Sequence, residues 1–422
     1  MKNRIFFLLI IVSCFGCKKS KHPSFAFDGT VVAYAPAPVT KSVNKRVFAH
    51  ILPWFETPAS LGSPEHWGVH WTMNLGSDYP ETFVNGQRRI ASNYNPLIGP
   101  YASGDTAVID YQLLLMKLSG IDGVFIDWPG VGSNLGQNLD LPMAKHNTDV
   151  IVSRLARVGL KYAIVYEDND LSAMNNDSNL IAHAQADMSY LKTNYFPDPD
   201  YEYISNQPLL LDFGPQAPLL NSVADTAVWT SIFSILSPKP AFFTLSNHSD
   251  LAGANATGEF VWVYSNGVSS LNSFYNPSYN PGIKISAAYP GYNSFYAQGN
   301  PEGTPGGPTW VITPSVSLFK QTLDLAVQQT NNQYIQLVTW NDYGEGTIIE
   351  PTVQFGYGYL TTLQSDLQVS SLSQSDLEAV AKLYQLRQSN VGNAAALAKL
   401  DQGFYFMASL QMDSAKALLN SF

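Results

Sequence analysis

Eight short runs of β-branched and aromatic residues, mostly separated by helical stretches, constrain this chain more than any other feature. They are residues 47–54 (VFAHILPW), 123–128 (GVFIDW), 162–167 (YAIVYE), 208–213 (PLLLDF), 241–246 (AFFTLS), 260–264 (FVWVY), 284–289 (KISAAY) and 334–340 (YIQLVTW). Near-continuous apolar runs of this length suit strands buried on both faces of a parallel sheet. Helical patterns fall at 106–119, 143–158, 180–195, 226–236 and 315–330. The fifth-to-sixth and sixth-to-seventh connections carry no convincing helix. The alternation places the chain in the α/β class. Eight strands in a body of about 320 residues predict a closed (β/α)8 TIM barrel over 45–363. Beyond it, 375–389 and 393–420 read as two helices, a short C-terminal helical hairpin over 364–422. One such pair is too little for a repeat array. It reads as a packing appendix on the barrel, with partner docking as the alternative.

The N-terminus sets the expected compartment. A basic start, an apolar run over 5–12 and then Ser13, Cys14, Phe15, Gly16 and Cys17 read as a lipoprotein signal over 1–17. Cys14 is the first lipidation candidate and Cys17 the second; a plain secretory signal is the alternative. Both cysteines of the chain lie here, which excludes a disulfide framework in the body. Residues 18–44 mix Lys, Ser, Pro and Ala without periodicity and read as a tether. The expected location is the bacterial cell envelope, lipid-anchored on the outer membrane or cell surface, with the membrane met through that anchor only.

A net charge of −10 makes phosphate backbones and anionic lipid surfaces poor partners, so no nucleic acid is expected. Only 13% of residues are charged and another 13% are aromatic, which suits grooves for flat, uncharged ligands such as sugars.

Barrel enzymes place their chemistry at the C-terminal ends of the strands. Those ends carry Asp127, Glu167, Asp212 and the pair Asp342 and Glu345. Paired carboxylates are what glycoside hydrolysis needs, one as acid and one as base or nucleophile. Two long loops, 56–101 and 291–308, leave the first and seventh strands on the same side. The first holds His66, Trp67, His70 and Trp71. A metal site at the two histidines lacks a third clear ligand, so no cofactor or metal is expected, and sugar stacking on the tryptophans is the better reading. Trp54 and Trp128 end strands and could floor a pocket; core packing is equally open for both. His50 reads as a core histidine, and Asp212 equally as a cap.

The segment Trp340-Asn341-Asp342-Tyr343-Gly344-Glu345-Gly346-Thr347-Ile348-Ile349-Glu350-Pro351 is the strongest motif. It resembles the end of the catalytic domain in glycoside hydrolase families 71 and 99: Trp-Asn-Asp-Tyr-Gly-Glu as in family 71, then Gly-Thr-Ile-Ile-Glu as in family 99. Residues 95–103 (NPLIGPYAS) resemble the Gly-Pro-Tyr-Ser-Ser stretch of family 99, and 289–293 (YPGYN) its Pro-Gly-Tyr segment. The resemblance spans about residues 45–363. It implies catalytic roles for Asp342 and Glu345, and substrate contacts for Glu167 and Tyr292. Asn341 and Asp127 join the expected sugar contacts. Asp342 stands where family 99 has Glu, so it is either a base for water or a base for the substrate 2-hydroxyl. Asp168, Asn169 and Asp170 replace the Pro-Tyr that follows Glu in family 99.

The expected function is hydrolysis of α-linked polysaccharide or oligosaccharide, α-mannan or α-glucan, with endo action from an open groove. The alternative is a non-catalytic carbohydrate-binding lipoprotein on a degenerate barrel.

Overall fold

The computed structural model describes residues 27–64, 66–132, 140–175, 179–215, 226–300 and 308–422. The signal, with Cys14 and Cys17, and residues 301–307 of the second long loop lie outside the described residues.

Eight parallel strands close into a barrel. They are β1 (Arg46–Ile51), β2 (Gly123–Trp128), β3 (Lys161–Tyr166), β4 (Gln207–Asp212), β5 (Ala241–Leu245), β6 (Ala256–Phe260), β7 (Ile283–Ala288) and β8 (Tyr334–Leu337). Each pairs with its chain neighbours, and β1 closes on β8 with Arg46 opposite Tyr334. Every strand is followed by a helix: α1 (Thr106–Leu118), α2 (Asp140–Val158), α3 (Leu180–Tyr190), α4 (Thr226–Phe233), α5 (Ser249–Ala252), α6 (Val268–Tyr275), α7 (Val316–Gln328) and α8 (Gly358–Asp366). The TIM barrel expectation holds. Two details differ. The sixth strand lies over Ala256–Phe260, four residues earlier than expected at its start, and α6 fills a connection expected to lack a helix.

Alternation along the strands decides which side chains enter the barrel. His50 lies opposite Phe125, and Phe48 stacks on Phe125 with ring centroids 4.6 Å apart, so these face inward. Asp127, two residues after Phe125, therefore faces inward too, and Trp128 outward.

The appendix is three helices rather than a hairpin: α9 (Gln374–Ser389), α10 (Ala394–Ala408) and α11 (Met412–Leu419). The chain breaks between the last two at Leu410, which has φ +61°. The appendix explains why α1 is buried on nearly all sides, since α9 covers the face that the barrel leaves open. A single buried carboxylate locks the parts together. Asp110 on α1 accepts hydrogen bonds from Arg154 and Arg157 of α2 and from Arg387 of α9, and Arg387 also reaches Asp401 on α10.

The expected tether is in part docked. The Val32 N–H donates to Gln402 Oε1 at 2.7 Å, Tyr34 stacks on Phe406, and the Ala37 N–H donates to the Ala408 carbonyl. An extended Pro- and Ala-rich strip can satisfy its backbone on a neighbouring helix end as well as in water.

Candidate active site

The mouth is built around the turn after β8. Asn341 and Tyr343 point away from the mouth and anchor it. Asn341 Oδ1 accepts from the Leu52 N–H, and its Nδ2 donates to the Leu52 carbonyl and the Tyr101 hydroxyl, stapling the ends of β1 and β8. Its polar atoms are thereby engaged, which corrects the expectation of a sugar contact. Tyr343 is buried among Phe55, Trp71 and Tyr101, and its hydroxyl donates to Glu350. Glu350 also accepts from Tyr101 and Gln112, tying the first loop and α1 to the motif.

Between these anchors, Asp342 and Glu345 turn to the barrel mouth. Asp342 Oδ1 accepts from the Glu345 backbone N–H at 2.9 Å. This closes the three-residue turn and holds the two carboxylates side by side. Gly346 completes it at φ +70°, where an added Cβ would lie 2.6 Å from the Asn293 carbonyl oxygen. Burial pushes Asp342 up to about 7, with the Asp127 charge adding to the rise and the backbone N–H groups of Glu345 and Gly344 opposing it. Glu345 is held well above the usual carboxylate range by burial first and then by the Asp342 charge. Trp262 Nε1 donates to Glu345 Oε2 at 3.2 Å.

Opposite lies a second group of acids. Glu167 lies just past β3 beside Asp127, and burial first and then the Asp127 charge hold it well above its ordinary value. Asp170 beside them is pushed up to about 7 by burial, then by Asp127 and Asp168. His50 Nε2 stands 3.7 Å from Asp127 Oδ1, and its ring meets Trp262 edge-on. Tyr296 joins the two groups. Burial raises its phenol, and the charges of Asp342, Glu345 and Glu167 all reach it. It is positioned from the motif itself, because the Asn293 and Phe295 N–H groups donate to the Glu345 and Gly344 carbonyls.

Tyr292 lies in the same loop, stacked on Trp310 at 4.0 Å, with its phenol raised by burial and by Glu345. Trp54 stacks flat on His70 at 4.2 Å and packs on the cluster that holds Tyr343. Burial lowers His70 to about 3, so it is neutral.

Other expected contacts are corrected. Trp128 faces outward, fully buried against Tyr190 and Tyr195 behind the barrel wall. Trp71 is equally buried, packing on Phe55 and donating to the Tyr101 carbonyl. Trp67 donates to Glu81 and lies under Arg88, turned to the small hairpin of the first loop. His66 is exposed. Asp212 pairs in register with Tyr166, whose hydroxyl donates to Asp187 on α3, so it faces the helices rather than the mouth. Among the described residues no group of His, Cys, Asp and Glu is arranged to hold a metal ion.

His50, Trp262, Tyr296 and Asp170 were not singled out as site residues from the sequence. The usable signal for Trp262 is its place two residues past a strand end. Asp170 is marked by the acidic run that follows Glu167, and nothing local marks His50 or Tyr296.

A closed (β/α)8 barrel with carboxylates gathered at the C-terminal ends of its strands defines an architecture that glycosidases use. The chain resembles the glycoside hydrolase family 71 and family 99 group. No family model matches it. It is 27% identical over 93 residues to the glycoprotein endo-alpha-1,2-mannosidase of Xenopus laevis, covering 21% of each chain. It is 30% identical over 90 residues to the glycoprotein endo-alpha-1,2-mannosidase-like protein of Danio rerio, covering 20% of each. The matched stretch thus spans about a fifth of these curated relatives. The structure of the glycoside hydrolase family 99 endo-alpha-mannosidase from Bacteroides thetaiotaomicron superposes with a TM-score of 0.56 at 16% identity, over 76% of this chain and 97% of that one. That likeness is one of fold.

Proposed function

We propose that the chain is a glycoside hydrolase that cuts α-linked mannan or manno-oligosaccharide within the chain, with Glu345 as acid and Asp342 as base. The observation that carries this reading is the turn after β8, which sets a buried and a half-buried carboxyl side by side with different hydrogen-bond partners. Glu345 keeps its proton and donates it to the leaving glycosidic oxygen. Asp342 ionises more readily, because two backbone N–H groups point at its carboxylate, and takes a proton from water or from the substrate 2-hydroxyl. Mannose rather than glucose is favoured by the names of the relatives matched in sequence and fold. The enzyme would be held at the bacterial envelope by a lipid on Cys14 or Cys17.

The test is reducing-sugar release from α-mannans and α-glucans by wild type and Glu345→Gln, each with and without a chelator. The expected result is release from α-mannan, unaffected by chelator and lowered by about 10²–10⁴ in the variant. Release by both proteins alike would remove Glu345 from its role. No release from any polymer, with equal binding by both proteins, would leave a sugar-binding protein instead. Proton NMR of the first product anomer decides between water and the 2-hydroxyl as the proton source. Mass spectrometry of the membrane-bound N-terminal peptide, beside Cys14→Ser and Cys17→Ser, tests the anchor.

A further inference from the structure

We infer that a second saccharide-binding groove lies beside the mouth, on the β5–β7 side of the barrel rim, and that it holds sugar units of a neutral chain remote from the bond being cut. The inference rests on the proposed glycosidase reading for what the groove serves, but not for what it binds. The groove is a cavity of about 760 Å³, in the size range of small-ligand sites. Its walls come from the loops after β5, β6 and β7 and from α6. Asn247, Tyr264, Asn266, Ser273, Asn276 and Trp310 are representative of its lining, and no lining residue is charged.

That composition selects the ligand. Amides and hydroxyls both donate and accept, which matches sugar hydroxyls and not phosphates or carboxylates. Tyr264 and Trp310 add aromatic surface for the apolar faces of pyranose rings.

The floor is built rather than incidental. Glu259 on β6, fully buried, accepts from the Asn247 and Ser249 N–H groups and from the Tyr279 hydroxyl. It thereby fixes the loop after β5, where Asn247 sits at φ +69°. The Tyr264 hydroxyl is bonded to Ser246 at 2.9 Å.

Two contacts place the groove next to the mouth. Trp310 lines the groove and stacks on Tyr292, whose phenol feels the Glu345 charge. Val261 also lines it, and the next residue, Trp262, donates to Glu345. The groove and the mouth therefore share a wall, with Trp310 standing between them.

Ser273→Trp fills the groove from the exposed face of α6 and touches none of the mouth residues. Asn266→Ala removes a ligand partner without adding bulk. Retardation in native gels cast with α-mannan, α-1,3-glucan or anionic polygalacturonate reads binding without hydrolysis. At least one neutral polymer should retard wild type, polygalacturonate should not, and Ser273→Trp should lose about fivefold or more of the retardation, with Asn266→Ala showing a smaller loss. Equal retardation of wild type and both variants, or none of wild type by any neutral polymer, overturns the groove. Where α-mannan is hydrolysed, Ser273→Trp should raise KM on polymer about fivefold and leave kcat/KM on a short manno-oligosaccharide unchanged. Absent hydrolysis with variant-sensitive retardation would sink the glycosidase reading and keep the groove.

Discussion

The two acid groups that face each other across the mouth differ in what surrounds them. At the β8 turn, Asp342 meets two backbone N–H groups and Glu345 meets the Trp262 indole. At the β2–β3 side, Asp127, Glu167 and Asp170 meet chiefly one another. A carboxylate among donors is helped to ionise, whereas neighbouring carboxylates hold one another's pKa up. Under the proposed function, the first side moves protons and the second grips sugar hydroxyls.

The largest expected effect breaks or keeps that division. Glu345→Gln and Asp342→Asn should each lower kcat by about 10³ without lowering the melting temperature, while Glu167→Gln should cost only about 10–10² and mainly in KM. Equal losses of kcat at the two sides would abolish the distinction.

Next is stability against pH. Asp170, Asp342 and Glu350 are all pushed up to about 7 in the folded chain. The folded state thus binds protons that the unfolded state releases near pH 4. Their contribution is full below about pH 4 and is lost as pH rises through 7, at about 1.4 kcal/mol per pH unit for each group. Melting temperature should fall between pH 5 and pH 8, and Asp170→Asn should flatten the fall. A melting temperature that climbs over that interval would contradict the assignment.

Asn341→Ala sharpens the comparison from the structural side. It unpairs buried groups of Leu52 and Tyr101 and should cost about 1–3 kcal/mol of stability in urea melts. The neighbouring Asp342→Asn should cost activity instead.

The smallest effect lies in the pH–rate profile. Activity should rise through about pH 7 as Asp342 ionises and decline again where Glu345 loses its proton. Asp127→Asn removes a nearby negative charge, so the acid limb should move down by less than about one unit. An unmoved limb would show that the two sides are electrically independent.

Barrel strands could be read from the chain because seven of them are near-continuous apolar runs. The sixth misled for a physical reason. Residues 261–263 are apolar because they are buried at the mouth, while the real strand contains Gly258, where an added Cβ would strike the Ile283 carbonyl oxygen. Helix α6 was missed because it buries only Leu271 and Phe274. The break between α10 and α11 falls at a leucine with positive φ, a residue that carries no turn signal. In the site, Asp342, Glu345, Glu167 and Asp127 were visible as carboxylates at strand ends, and Tyr292 through its motif.

What the chain determined by itself is local and periodic: strand identity, order, and which acids end which strands. Tertiary structure alone decided which of those acids meet. Trp128 and Asp212 stand at strand tips as Asp127 does, yet the pleat turns them to the helices. His50 and Tyr296, some 250 residues apart, reach one mouth only because β1 closes on β8 and the loop after β7 bonds to the turn after β8. Side-chain direction in a strand follows parity, which a one-residue error in a boundary inverts. Proximity across a closed barrel follows from closure, which no local pattern encodes.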